Sequence, residues 1–413
     1  HEELPDVYVC GSYEVQPEIR EYWRTSTTVL NAYVGPKLSS YIKHLDATLK
    51  ESGFTGDLLI VQSNAGVISP EVACQKAART LLSGPSCAPA AAIYHAPTGI
   101  DNMITIDMGG TSLDVCLIKE RKPIMALESA VAGVYHLKLP LLDVHTIGAG
   151  GGSVAWLDDL GVLHIGPKSA GADPGPACYN KGGIEPTVTD ADLVLGYLNP
   201  DYFLGGIMKL DFELARKAIK ENVADLLGIS VAEAARSIKA ITDHNMSDAI
   251  SAVSVQRGED ARRFVMVTAG GAGPVHAASL AKELNIQKIM VPRHSSIFCA
   301  LGSIIADIRH DFVRTVSIRT NLLDPKELRD TFAEMETVGN GYLQKEGVSE
   351  ANRYYQGSMD MRYKGQFHEV EVPVDISELS DRDSIALIVE SFHQRHDTLY
   401  AYRDTVETEI INL

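Results

Sequence analysis

The chain has 413 residues, 45% of them hydrophobic and 22% charged, which is the composition of a folded globular protein with a sizeable core. Its 54 acidic residues against 37 Lys and Arg leave a formal net charge of −17 and no long basic run, which argues against nucleic acid and against an anionic membrane surface as partners. No apolar run approaches the roughly 20 residues that a bilayer span needs. The six cysteines, at 10, 74, 87, 116, 178 and 299, form no Cys-x-x-Cys pair, and such scattered thiols predict a reducing, cytoplasmic setting. The opening HEELPDVYVC is polar and reads as no leader; without an initiator Met, and with VETEIINL stopping inside a strand-like run, the chain reads as trimmed or partial.

In chain order, 17–52 predicts a helix, with Val34, Leu38, Tyr41, Ile42, Leu45 and Leu49 on one stripe and Pro36 kinking or restarting it. DLLIVQSN (57–64) reads as a short strand, 71–82 as a helix stopped near Gly84, and 86–95 as a helix of small residues. Strands dominate 102–165: NMITIDM, DVCLIK, PIMALES, LLDVHTI, SVAWLD and VLHI. Residues 166–188 are rich in Gly and Pro without a period, a long loop of the kind that carries function. Helices return over 189–257, then FVMVTAGGAGPVHAASLAKEL reads strand, glycine turn, helix; KIMVP adds a strand and 298–308 a helix. After Pro325 a polar helix (326–345), two alternating strands (354–363 and 368–374) and a helix (383–401) make a small α+β region. The domain expectation is a helical and αβ lead-in at 1–100, a core at 101–320 with a helical insertion at about 189–257, and the α+β region at 321–413.

Two glycine turns carry the chemistry. TIDMGGTSLDVCLI (105–118) is strand, tight Gly-Gly-Thr turn, strand. It lacks the G-x-x-x-x-G-K-[ST] of a Walker loop, and GAGGGS misses G-x-G-x-x-G because Ser153 stands last. Glycines still let backbone amides approach a ligand closely, and successive amides make a concavity for anions. Thr111 adds a hydroxyl, and Asp107 at the strand end can hold Mg²⁺ directly or through water; Asp114 does the same or caps the turn. The alternative is a plain hairpin turn, which leaves a carboxylate on a core strand to be explained. In TAGGAGPVHA (268–277) bare backbone can lie against a flat ring or ribose, or simply make a tight connection, with Pro274 at the helix start. Asp143 and His145 alternate along one strand and share a side, so His145 is a base, a metal ligand, or a core histidine satisfied by Asp143. Asp190 and Asp192 after Thr189 read as first-turn acids of a capped helix or as a Mg²⁺- or phosphate-side pair. His276, His244 and Cys178 are weaker candidates, and Ser86 misses a nucleophile elbow by one residue.

Together the motifs resemble a known family. The two turns resemble the phosphate and adenosine loops of the actin/sugar-kinase/heat-shock-protein ATPases. More closely, REYWRTSTTVLNAYVGP, QSNAGVISP, RTLLSGPS, DMGGTSLDV, LLDVHTIGAGGGS, GADPGPACY, GGIEPTVTDADLVLG, GGAGPVHA and MRYKGQFHEVEVP, in this order, resemble the A subunit of the hydantoinase/oxoprolinase family. The sequence departs from that pattern at Leu113, where Thr is usual, at Asp243 and His244, and in having no N-terminal DVGGT-type loop.

The resemblance implies an α/β, actin/sugar-kinase-like (ribonuclease H-like) ATPase core. It implies ATP and Mg²⁺ as cofactors, with Gly109, Gly110 and Thr111 on the phosphates and Asp107, joined by Asp190, on the metal. Gly150 and Gly151 would close over phosphate or substrate, Gly270, Gly271 and Gly273 would border the adenosine, and Asp143 and His145 would serve the reaction. The implied activity is ATP-dependent hydrolysis of a cyclic amide by carbonyl phosphorylation, with a B-type subunit as partner. Alternatives are a subunit of an ATP-dependent ketone carboxylase and a non-catalytic nucleotide- or partner-binding fragment.

Overall fold

The computed structural model describes residues 7–126, 129–131 and 134–413. Near the start, α1 (Glu21–Glu51) continues past Pro36 and does not restart there. Proline removes one backbone donor, but contacts from outside hold the helix. Asn31 donates to Tyr8 Oη and to the Gln75 carbonyl, each at 3.1 Å, and accepts from the Ala78 amide at 2.9 Å. DLLIVQSN yields only Ile60–Val61, paired with Val67–Ile68. The helix expected at 71–82 divides into Pro70–Gln75 and a 3₁₀ turn at Ala77–Thr80, followed by α2 (Cys87–His95).

The core sheet is built from β1 (Met103–Met108), β2 (Leu113–Lys119), β3 (Val144–Ile147), β4 (Val265–Ala269) and β5 (Ile289–Met290), in the order β3-β2-β1-β4-β5. The first three are antiparallel, and β4 and β5 are parallel continuations from β1. This is the strand arrangement of the ribonuclease H-like, actin/sugar-kinase-like core expected from the sequence. Met125–Ala126 of PIMALES pairs with Leu141–Leu142, while Leu127 and Glu128 lie outside the described residues.

The alternation of β1 and β2 explains why the sheet is covered on both faces. Ile104, Ile106 and Met108, with Leu113, Val115 and Leu117 opposite them, pack under α3 (Val188–Val194), α4 (Val231–Val253) and α5 (Gly273–Glu283). Met103, Ile118, Val265, Val267 and Ala269 face the other way, onto α2 and α6 (Phe298–Ile304). Strand ends, turns and helix starts therefore meet at one edge of a three-layer stack, where ligands of open α/β sheets bind.

Beyond the core, β6 (Thr315–Arg319), β7 (Gly357–Tyr363), β8 (Val370–Val374) and β9 (Thr408–Asn412) form an antiparallel sheet, ordered β6-β9-β7-β8, that shares a core of its own with α7 (Pro325–Lys345) and α8 (Arg382–Tyr400). The VETEIINL run thus lies inside a sheet, paired on both sides. Among the described residues no helix is long and apolar enough to cross a membrane.

Candidate functional site

The hairpin turn between β1 and β2 closes with the Gly109 amide donating to the Ser112 carbonyl at 3.1 Å. Two further glycine segments are bonded directly to it. Gly151 and Gly152 donate to the Gly109 and Gly110 carbonyls at 3.0 and 2.6 Å. From the β4–α5 connection, Ala272 donates to the Met108 carbonyl at 3.0 Å. The segments 109–111, 150–152 and 270–272 therefore converge on one place.

Within that place the glycines have different duties. A Cβ on Gly109, Gly110 or Gly271 would meet no atom within 4 Å, so these positions present bare main chain to open space. A Cβ on Gly150 would stand 2.5 Å from the Thr111 nitrogen, and one on Gly151 would stand 2.8 Å from Thr189 Oγ1. Gly270 has φ +75° and fits against the Met108 carbonyl, while Gly273 is buried, 3.6 Å in the same sense from the Ile106 carbonyl. Gly109, Gly110, exposed Thr111 and Gly271 thus border the open space; Gly150, Gly151 and Gly270 let the segments pack this closely, whereas a Cβ on Gly273 would make only ordinary contact.

Asp107 and Asp114 stand directly opposite each other in the hairpin register, on the same face of the sheet. Each is half-buried and has one side-chain donor: Cys299 Sγ at 2.8 Å from Asp107 Oδ2, and Thr146 Oγ1 at 2.5 Å from Asp114 Oδ1. Burial pushes both carboxyls above their ordinary value against those hydrogen bonds, and the Asp107 charge adds to the rise at Asp114. Two partly desolvated acids with so few donors suit a cation. Among the described residues no group of three or more His, Cys, Asp or Glu side chains is placed to hold a metal. Mg²⁺ bound through water and phosphate needs only one or two carboxylates, so open amides beside this acid pair fit a magnesium nucleotide.

Other expected residues fall elsewhere. His145 lies on the sheet face away from Asp107, because Thr146 pairs with Asp114 and His145 with Val115, and Asp143 stands just before the strand. Asp143 forms an ion pair with Arg257, its Oδ1 accepting from Nη2 at 3.1 Å, and does not orient His145. The expectation that these two serve the reaction is therefore corrected, by strand parity for His145 and by the Arg257 ion pair for Asp143. Asp190 is fully buried, and its carboxylate accepts from the Ala177, Cys178 and Thr187 amides at 3.2, 2.8 and 2.9 Å and from Thr187 Oγ1 at 2.8 Å. Its lone pairs are committed to the Ala177 and Cys178 amides and to a capping box that begins at Thr187, ahead of a cap expected at Thr189 or Asp190, and it is not a metal ligand here. Cys178 is buried, and burial together with Asp190 raises its thiol far above the usual range, which leaves no nucleophile. His244 is a surface residue beside Glu283 at 3.1 Å, and Ser86 is buried and donates to the Ser83 carbonyl at 2.6 Å.

Sequence reasoning missed Cys299 and Thr146 as partners of the two acids. Neither carries a local signal, because each meets its acid through the sheet or a following helix, 192 and 32 residues away.

The profile of the hydantoinase/oxoprolinase family matches residues 24–312, and that of the hydantoinase/oxoprolinase C-terminal domain matches residues 319–407. The chain is 43% identical, over 99% of its length, to caprolactamase subunit alpha of Pseudomonas jessenii, and spans 59% of that protein. The crystal structure of ATP-dependent caprolactamase from Pseudomonas jessenii superposes with a TM-score of 0.85 at 42% identity, over 100% of this chain and 60% of that one. The nucleotide-free structure of acetone carboxylase superposes with a TM-score of 0.79 at 29% identity, over 97% of this chain and 58% of that one. Sequence, fold and convergent glycine turns agree: the chain belongs to the hydantoinase/oxoprolinase family.

Proposed function

We propose that this chain is the nucleotide-binding part of an enzyme that uses Mg·ATP to open a cyclic amide of the lactam, hydantoin or oxoproline type. The observation that carries the reading is the meeting of three glycine segments around open space beside the acid pair Asp107 and Asp114. The family membership and the likeness to an ATP-dependent caprolactamase support it.

The amides at Gly110 and Thr111, with the Thr111 hydroxyl, would hold the phosphates against the bare main chain of Gly109, whose own amide closes the turn onto Ser112; Asp107 and Asp114 would hold Mg²⁺ through water; Gly271 would lie under the nucleoside. When bound, ATP supplies a phosphoryl group that converts the ring carbonyl oxygen, a poor participant as it stands, into a leaving group. The chain's own part is placement and charge neutralisation, which is most of what phosphoryl transfer needs. Amides held in three interlocked segments are already oriented and need no reorganisation when negative charge develops on the transferred group. A B-type subunit would complete hydrolysis.

The likeness to acetone carboxylase favours one second reading, a part of an ATP-dependent ketone carboxylase. Both are tested by phosphate release from Mg·ATP in the complete complex, offered caprolactam, oxoproline, hydantoins or ketones, with and without bicarbonate. Lactam- or hydantoin-dependent turnover without bicarbonate is the expected result. A strict bicarbonate requirement with ketones moves the assignment to the carboxylase, and absence of Mg·ATP binding by the parent removes both.

A further inference from the structure

Behind the glycine turns lies a buried charged cluster that the reading above does not use. His276, in the first turn of α5, is fully buried. Its Nδ1 lies 2.6 Å from Asp243 Oδ1 on α4, and its Nε2 lies 3.5 Å from Asp192 Oδ2 on α3. Asp243 also receives Lys239 Nζ at 2.8 Å. Nε2 makes no hydrogen bond, and neither does Asp192 Oδ1, although both are buried. Two acids and two bases so enclosed are neutral as a set only when the imidazole carries its proton.

The position of this cluster gives it a task. Gly151, which is bonded to the hairpin turn, has its carbonyl held by the Thr189 amide and hydroxyl, each at 2.8 Å, at the start of α3. Asp192 follows one turn later on the same helix. His276 follows the 270–272 turn on α5, and that turn is bonded to Met108. The contacts close a ring: hairpin turn, 150–152 loop, α3, Asp192, His276, α5, 270–272 turn, hairpin. We propose that His276 is a positioning residue that, as the imidazolium, locks the phosphate-side loop to the adenosine-side turn by bonding Asp243 through Nδ1 and ion-pairing with Asp192 across 3.5 Å from Nε2.

A neutral ring can donate to only one of the two acids, so the lock depends on pH. Burial drives the imidazole toward neutrality, but Asp192 and Asp243 outweigh it and its pKa stands above the ordinary 6.5. The other groups facing the ring are Lys239 from α4, which opposes protonation, with Tyr197 beneath that ammonium at 5.3 Å and Ser279 beside it at 3.4 Å. With the folded pKa raised, the lock is complete below the ordinary histidine value. It opens as pH rises through the folded value, by at most about tenfold per pH unit for one proton.

The role assigned to the ring rests on the nucleotide reading, but the lock is tested without nucleotide. Amide hydrogen exchange of the full chain, corrected for intrinsic rate, is followed at 150–152, 187–191 and 270–273 from about pH 6.5 to about pH 8.5. The parent should lose protection in all three segments together as pH rises. Asp192→Asn places an amide that can accept from the charged ring or donate to the neutral one, so its protection should vary little with pH. His276→Gln should lose about tenfold in protection at the lower pH. A parent flat with pH, or an Asp192→Asn profile parallel to the parent's, overturns the proposal even if His276→Gln fails to fold. Mg·ATP affinity in parent and Asp192→Asn should follow the same two profiles. If neither protein binds Mg·ATP while exchange behaves as described, the nucleotide reading fails and the lock stands.

Discussion

The hairpin turn at 107–114 and the loop-to-helix junction at 177–192 make an instructive pair. Both carry an aspartate next to glycine-rich sequence, and both invite assignment to a metal. At the junction Asp190 is fully buried and accepts four hydrogen bonds from its own chain. At the hairpin Asp107 and Asp114 have one side-chain donor each, face each other, and sit at raised pKa. A carboxylate whose lone pairs are filled from within holds the fold; one left short of donors in a half-buried place is available for a ligand.

The contrast can be broken in four places. The largest effect should come from Asp190→Ala, which strands three buried backbone amides and a hydroxyl at a cost on the order of 4 kcal/mol. Denaturant unfolding would measure it, and a loss under about 1 kcal/mol would mean that Asp190 is free for another task. Next, Gly110→Val places methyl groups in open space, so stability should stay within about 0.5 kcal/mol while Mg·ATP affinity falls by about 100-fold or more. Calorimetric titration alongside a melting curve separates the two, and undiminished binding would remove the phosphate assignment.

Asp107→Asn should weaken Mg²⁺-dependent nucleotide binding by about tenfold and Mg²⁺-free binding much less. Equal losses would make Asp107 structural. The smallest effect has the least expected sign. Because the folded carboxyls sit above the ordinary 3.8, their contribution to stability is present below that value and is lost as pH rises through the folded value. Asp107→Asn with Asp114→Asn should therefore raise the metal-free melting temperature at neutral pH. The gain should vanish below about the ordinary carboxylate range, and Mg²⁺ should stabilise the parent alone. Asp190→Asn should show no such gain, and a gain there would erase the distinction between the two regions.

Much of this was legible beforehand. The apolar runs on either side of Asp107-Met108-Gly109-Gly110-Thr111 require a strand pair and a tight turn, and the hairpin formed as read. The strand, glycine turn and helix of 264–284 are likewise local, set by β-branched residues, glycine and Pro274. The cap of α3, expected at Thr189 or Asp190, falls at Thr187, where Asp, not Glu or Gln, closes the box at its third position. The alternation read across Asp143 and His145 held only for His145, which pairs with Val115 on the face away from Asp107; Asp143 precedes the strand, and Arg257, 114 residues on, takes the acid. Nothing near GPVHA announces that its histidine lies between acids from two other helices.

What the sequence determined alone was backbone shape over a few residues: where glycine bends the chain, where strands alternate and where helices begin. Those outcomes follow from steric limits and neighbouring hydrogen bonds, which act within about four residues. Tertiary structure decided which glycines face space and which are packed shut, which acid keeps free lone pairs, and which histidine is enclosed by charge. The physical reason is that the donors, acceptors and atoms that settle those questions arrive from segments far away along the chain, and only folding brings them within bonding distance.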